Sequence, residues 1–360
     1  MRQFFPVENI LNWYSENKRN LPWRETSDPY KIWVSEIMLQ QTRVSTAIPY
    51  YQRFLNEFPT VYDLALADRQ RVLKLWEGLG YYSRARNLQD AARMVIDKYD
   101  GNLPDTLSEI KTLKGIGPYT AAAILSIAFQ KPHAVVDGNV LRVLSRYFGI
   151  IDDIRNQQTK NGIQQLASEV IPHSNPGDFN QAVMELGATI CLPSNPLCES
   201  CPISAACNAF KSAMTEKIPY KSPSKKIPHY DIGVGILFNN KNQVLIALRP
   251  EDVMLGGLWE FPGGKRKKDE DIRDTVRREL QEELGVEAEI LEEFMTVKHA
   301  YSHFRITLKS YICKIRKGKP EPVSSQEIKW IDLTDIDRYP FPKANKDLVQ
   351  RLKQNYPADK

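Results

Sequence analysis

The sequence predicts a multidomain chain: an all-α domain over residues 1–214, a linker over 215–229 and an α+β domain over 230–360. Three observations predict it. Apolar residues recur at helical spacing through the first stretch. From residue 217 to 229 three prolines and four lysines replace that periodicity, which is the composition of an extended linker and not of a packed element. Beyond the linker the pattern turns strand-like. A length of 360 residues suits two or three domains.

The elements follow in chain order. Residues 32–39 are apolar nearly all round, as a core helix is. Helical-period runs recur at 61–76, 87–99, 121–129 and 140–148, punctuated by Phe58-Pro59, Gly78-Leu79-Gly80 and Gly101-Asn102-Leu103-Pro104. After the linker, residues 232–238, a polar turn at 239–242 and residues 244–248 predict a β-hairpin. A helix over 271–284 and strands around 306–315 complete the α+β pattern, and no internal repeat relates the halves.

Composition narrows the function classes. Hydrophobic residues are 42% and charged residues 26%, ordinary globular usage, so the chain is neither disordered nor fibrous. The net charge of +5 permits a polyanionic partner without proving one, and the linker's four lysines against one glutamate suit phosphate contacts. No apolar run approaches the ~18 residues of a spanning helix, and residues 1–6 show no secretory pattern. A soluble, cytoplasmic, monomeric protein with no membrane partner is expected.

Four of the five cysteines fall within one short stretch. Cys191, Cys198, Cys201 and Cys207 follow C-x6-C-x2-C-x5-C, and Cys313 stands alone. In a reducing compartment this spacing reads as a metal site and not a disulfide framework, structural zinc being one candidate on spacing alone.

Residues 105–129 predict a helix, a tight turn and a second helix. Thr106 and Glu109 form a capping box, the turn is Leu113-Lys114-Gly115-Ile116-Gly117, and Pro118 suits the first position of the next helix. Gly115 and Gly117 let the backbone approach an anion at a helix N-terminus, with Lys114 beside it for a phosphate. A ligand-free αα-turn fits the same residues.

Two carboxylates stand in contrasting surroundings. Asp137 precedes Gly138-Asn139-Val140 at a helix start, which keeps a carboxylate ionised; alone it also reads as a simple N-cap. Glu36 has mostly apolar neighbours, and desolvation favours its protonated form. One ionised and one protonated carboxyl is the pair that N-glycosidic cleavage needs. Glu36 reads equally as a buried glutamate paired with an arginine.

With the hairpin, Asp137 and the cysteines in this order, the first 210 residues or so resemble the endonuclease III superfamily of helix–hairpin–helix DNA glycosylases. Within it the match is to the adenine DNA glycosylases, the MutY family. It is carried by Leu21-Pro22-Trp23-Arg24, Val34-Ser35-Glu36-Ile37-Met38-Leu39-Gln40-Gln41-Thr42, Gly78-Leu79-Gly80-Tyr81-Tyr82-Ser83-Arg84-Ala85-Arg86 and Val136-Asp137-Gly138-Asn139-Val140. The resemblance implies a [4Fe–4S] cluster on Cys191, Cys198, Cys201 and Cys207. It implies removal of adenine opposite 8-oxoguanine or guanine in duplex DNA, in base excision repair. Glu36 would protonate the base, Asp137 would stabilise the cationic sugar, and Tyr119 and Asn139 would position both. Gln41 and Tyr81 would wedge the duplex, Leu39, Thr42 and Val44 would line nearby contacts, and Arg19 and Arg24 would assist at the base or backbone. Lyase-competent relatives carry a Schiff-base lysine where this chain has Tyr119, so the expected reaction is monofunctional hydrolysis.

The second half matches a Nudix box in all its constrained positions: Gly264, Glu270, Arg278, Glu279, Leu280, Glu282, Glu283, Gly285 and Val286. Glu279, Glu282 and Glu283 lie at i, i+3 and i+4, one helix face suited to Mg²⁺. In adenine glycosylases this domain reads 8-oxoguanine and its box is as a rule degraded. The intact box here opens an alternative, nucleotide pyrophosphohydrolysis fused to a DNA-binding domain. The recognition loop resembles a His-x-Phe-Ser-His string and reads His299-Ala300-Tyr301-Ser302-His303, with Tyr301, Ser302 and His303 as the expected readers.

Overall fold

In the computed structural model residues 4–223, 227–301 and 303–356 are described; Ser302 and residues 224–226 of the expected linker lie outside them. The chain forms two compact units, and they do not follow a single cut along the sequence. Met1–Leu66 and Asn87–Ser224 make the first, Ala67–Arg86 and Lys225–Lys360 the second.

The first unit is all helix among its described residues. Helix Pro29–Leu39 starts because Asp28 accepts the Tyr30 N–H at 2.9 Å and Pro29 occupies the first turn, where its missing N–H costs nothing. Ile32 through Met38 are all buried, Glu36 among them, as the all-round apolar pattern predicts. Helices Val7–Asn17, Gly138–Phe148 and Pro176–Thr189 pack through Ile10, Tyr14, Val140, Leu144, Tyr147, Phe179, Val183 and Leu186. Each such side chain contributes roughly 1.5–3 kcal/mol of burial. Helix Pro176–Thr189 also orders the approach to Asp137. Asn180 is buried, accepts the Val135 N–H at 3.1 Å and donates to the His133 carbonyl and to Ser126 Oγ, both at 2.8 Å. These bonds satisfy an extended strand of backbone that has no sheet to join.

Several sequence expectations change here. The run 61–76 is two helices, Val61–Leu66 and Arg69–Trp76, because Asp68 caps the second by accepting the Arg71 N–H at 3.1 Å. The first hairpin helix is a single turn, Leu107–Ile110, and the second is Pro118–Ile127. Residues 215–223 are not a free linker. The Tyr220 carbonyl accepts the Ile154 N–H at 3.0 Å, Arg146 donates to the Ile218 carbonyl at 2.8 Å, and Ile218 is buried.

Among its described residues the second unit holds seven strands: β1 His229–Leu237, β2 Val244–Leu248, β3 Trp259–Glu260, β4 Gly263–Lys265, β5 Glu287–Ala300, β6 Arg305–Lys317 and β7 Glu327–Ile331. They form two sheets, ordered β4-β1-β6-β5 and β3-β2-β7. β1 runs parallel to β6, with Gly235 opposite Tyr311. The hairpin expected over 232–248 forms only at its tip among the described residues: Phe238 bridges Val244 and the Asn239 N–H bonds the Gln243 carbonyl at 3.0 Å, while β1 and β2 belong to different sheets. The reason is burial on both faces. Val234, Ile236, Val244 and Ile246 face one core, while Leu237 and Leu245 face another, under helix Ile272–Leu284. A strand buried on both sides carries no alternation from which its partner can be read. No helix among the described residues is long and apolar enough to cross a membrane.

Candidate active site

A cavity of about 230 Å³ in the first unit gathers nine of the sequence-predicted residues: Glu36, Tyr119, Asp137, Asn139, Arg19, Arg24, Leu39, Thr42 and Val44. Glu36 reaches it from the core helix and is 5% exposed. Burial pushes its carboxyl up to about 7; the Tyr119 hydroxyl opposes the rise and the charge of Asp137 adds to it. Its Oε2 is buried without a hydrogen-bond partner. An unpaired oxygen beside a cavity is a group waiting for a ligand atom.

Asp137 caps helix Gly138–Phe148. One oxygen accepts the Val140 N–H at 2.7 Å, and the other accepts the Asn139 amide at 2.9 Å. The helix start does not act alone, as the sequence suggested. Burial pushes this carboxyl up, and the bonds from Val140 and Asn139, with the charge of Arg142, pull it back. Tyr119 stands in the second hairpin helix, its hydroxyl 3.7 Å from Met184 Sδ, and burial raises its pKa well above the usual range.

Two functional residues escaped sequence reasoning. Arg142 donates to Asn139 Oδ1 at 3.0 Å, to the Gly187 carbonyl at 2.7 Å and to the Cys191 carbonyl at 2.7 Å. It thus ties the asparagine that holds Asp137 to the first cysteine. The only hint was its i+3 spacing from Asn139. Glu185 is the other. It takes Arg19 in a two-pronged pair at 2.7 Å and Arg24 at 2.8 Å, and is almost wholly buried. Its arginines hold its carboxyl down at about 2. Arg19 and Arg24 accordingly form the cavity wall through Glu185, which the matching stretch did not disclose.

Other predicted residues lie elsewhere. Gln41 is exposed in the turn after the core helix, in left-handed backbone at φ 55°. Lys114 pairs with Asp90 at 3.0 Å on the surface. The two hairpin glycines differ. Gly115 takes φ 79°, and a Cβ there would sit 2.9 Å from Asn87 Cβ. Gly117 has ordinary extended backbone, caps the second helix, and a Cβ there would meet nothing within 4 Å. Open space before a helix start suits a phosphate.

Tyr81 belongs to the second unit, where its ring meets His303 edge-on at 6.2 Å. Tyr301 stacks on Phe304 at 4.7 Å and packs against the core, so its ring is already engaged. His303 is exposed.

The four cysteines line a largely apolar pocket with Val143, Leu186, Ile190 and Ile203. Burial raises the thiols of Cys198, Cys201 and Cys207, Cys201 to about 12. Arg146, itself buried, lies 3.3 Å from Cys191 Sγ. In the Nudix helix Arg278 bonds Glu270 at 2.7 Å, Glu279 at 2.6 Å and Glu282 at 2.9 Å, while Glu283 accepts the Gly263 N–H at 3.0 Å. Burial and the charge of Glu260 push Glu283 up to about 8. Among the described residues no three His, Cys, Asp or Glu side chains gather as around one metal ion.

Residues 34–172 match the HhH-GPD superfamily of base excision DNA repair proteins, and residues 233–351 match the NUDIX domain. The adenine DNA glycosylase of Mus musculus is 34% identical over 376 residues, 90% of this chain and 73% of its own. That of Buchnera aphidicola subsp. Acyrthosiphon pisum is 32% identical over 356 residues, 99% of each. This chain belongs to the adenine DNA glycosylases. Like its family it is a DNA glycosylase of base excision repair, with a helical HhH-GPD domain followed by a NUDIX-like α+β domain. A thermostable thymine-DNA glycosylase superposes with a TM-score of 0.52 at 33% identity, covering 57% of this glycosylase and 95% of that chain. Endonuclease III trapped covalently on DNA shares the helical fold at a TM-score of 0.50 and 23% identity, covering 58% and 95%.

The raised Glu36 has a measurable consequence for this glycosylase. Its folded value, about 7, exceeds the ordinary 4.5. The stability it contributes is therefore complete below pH 4.5 and is lost as pH rises through 7. Glu36→Gln, which stays neutral, should gain stability over the wild type across that window, on the order of 3 kcal/mol at pH 8. Urea unfolding of both proteins from pH 4 to 8 checks it; parallel curves would contradict the burial.

Proposed function

We propose that the enzyme removes adenine paired with 8-oxoguanine or guanine in duplex DNA, by hydrolysis and without cutting the strand. The observation that carries this reading is the pair Glu36 and Asp137 on one cavity, the first with a free buried oxygen and a value near 7, the second bonded at both oxygens. The adenosine must leave the stack to enter, which costs a few kcal/mol and least at a mispair. Protonated Glu36 gives its proton to a ring nitrogen of adenine. The C1′–N9 bond then breaks, its electrons pass to the base, and the Asp137 carboxylate faces the cationic sugar. Water adds to C1′ and its proton leaves to a carboxylate. Tyr119 offers no amine, so no Schiff base forms. Gly115, Gly117 and Lys114 would hold the backbone phosphate, and Tyr81 and His303 would read the opposite base.

The family's likeness to endonuclease III, and one pocket lined by all four cysteines, support an iron–sulfur cluster held by them. Buried thiols whose thiolates would repel one another need a cationic core to ionise, and Arg146 lies 3.3 Å from Cys191 Sγ to offset the charge. When bound, the cluster would cross-link the loop 191–207. Cys198→Ser should lose the cluster's visible absorbance and weaken duplex binding; an unchanged spectrum would refute the ligand set.

A second reading rests on the intact Nudix box, whose crowded carboxylates Glu279, Glu282 and Glu283 a Mg²⁺ ion would relieve. Mg²⁺-dependent release of pyrophosphate from 8-oxo-dGTP, lost in Glu282→Gln, is its test. No hydrolysis across a nucleotide panel would remove it.

The glycosylase reading is tested on duplexes with adenine opposite 8-oxoguanine. Wild-type holoprotein should release free adenine, leave an abasic strand intact and form no borohydride-trapped complex. Because Glu36 must carry its proton to act, the single-turnover rate should fall about tenfold per unit as pH rises above 7. Asp137→Asn should lose on the order of 10³-fold in rate. Failure of the holoprotein to release adenine would overturn the reading.

A further inference from the structure

Residues 67–86 lie early in the sequence, yet they pack in the second unit. Side chains pin the segment at its start, middle and end. Gln70 uses both ends of its amide: Nε2 donates to the Gly257 carbonyl at 3.1 Å, and Oε1 accepts the Trp259 indole N–H at 3.0 Å. Trp259 is 1% exposed, so this bond reaches the core. Glu77 accepts the Phe341 backbone N–H at 2.9 Å and pairs with Lys74 at 3.0 Å and Lys346 at 2.9 Å. Arg86 donates to the Gly256 and Glu251 carbonyls. Between the pins the chain makes a sharp loop, with positive φ at Gly78 (107°), Gly80 (74°) and Tyr81 (48°). A tyrosine in left-handed backbone persists only where its surroundings hold it. That conformation turns its ring edge to His303, and leaves its hydroxyl buried without a partner.

We propose that Gln70 and Glu77 are positioning residues that fix Tyr81 beside His303 and so set the preference for 8-oxoguanine over guanine. This rests on the reading of the second unit given above. The two bases differ in one donor and one acceptor, so discrimination needs polar groups held at hydrogen-bond geometry. Neither anchor needs to touch DNA; both act through the loop they hold.

The test uses full-length holoprotein and duplexes carrying an uncleavable abasic analogue opposite 8-oxoguanine or guanine. The readout is the ratio of the two dissociation constants. Gln70→Met and Glu77→Ala should each lower the ratio about tenfold, with the single-turnover rate on A:G duplex unchanged. Trp259→Phe deletes one of the Gln70 bonds from the other side, so the double variant Gln70→Met/Trp259→Phe should fall no further than Gln70→Met alone. An unchanged ratio, or equal weakening on both duplexes, would overturn the proposal. A wild-type ratio of one would instead overturn the reading on which it rests.

Discussion

Asp137 sits in a buried cavity where an unpaired charge costs several kcal/mol, and the structure meets that cost with donors from its own helix start, the Val140 N–H at 2.7 Å and the Asn139 amide at 2.9 Å. Glu36 shares the cavity and is given no such set: its Oε2 has no partner and its carboxyl rises to about 7. Burial pushes both carboxyls up, and the bonds to Asp137, with the charge of Arg142, counter that rise more fully than the single Tyr119 hydroxyl does at Glu36. The rest of the first unit serves this asymmetry. Asn180 fastens the backbone that leads to Asp137, Arg142 fastens Asn139, and Glu185 draws Arg19 and Arg24 into the wall.

What could be read beforehand was what is local. The apolar surroundings of Glu36 and the helix start after Asp137 are visible within a few residues, and both carboxylates line one cavity. Arg142 and Glu185 were hidden because their partners are far along the chain: Gly187 and Cys191 for the one, Arg19 and Arg24 for the other. The same distance confined the hairpin over 232–248 to its tip, since strands buried on both faces show no preference for a neighbour. The residues at 215–223 had a linker's composition and still packed, because Ile218 and the backbone around it found partners in the first unit.

The second unit shows the opposite economy of charge. In the Nudix helix one guanidinium, Arg278, serves Glu270, Glu279 and Glu282 together, while Glu283 leans on a backbone N–H. In the expected recognition loop Tyr301 lies on Phe304. Near it exposed His303 meets the half-buried ring of Tyr81, a residue more than 200 positions away in the chain.

Helix Pro176–Thr189 passes Asn139 at Gly187, so closely that a single added methyl would lie 2.6 Å from the asparagine's Cβ. The same residue's carbonyl receives Arg142. Position 187 therefore serves the Asp137 cavity by virtue of being blank. A genetic screen would find it intolerant even of alanine, and inactive alleles there would come from displacing Asn139 from its aspartate rather than from losing any reactive group.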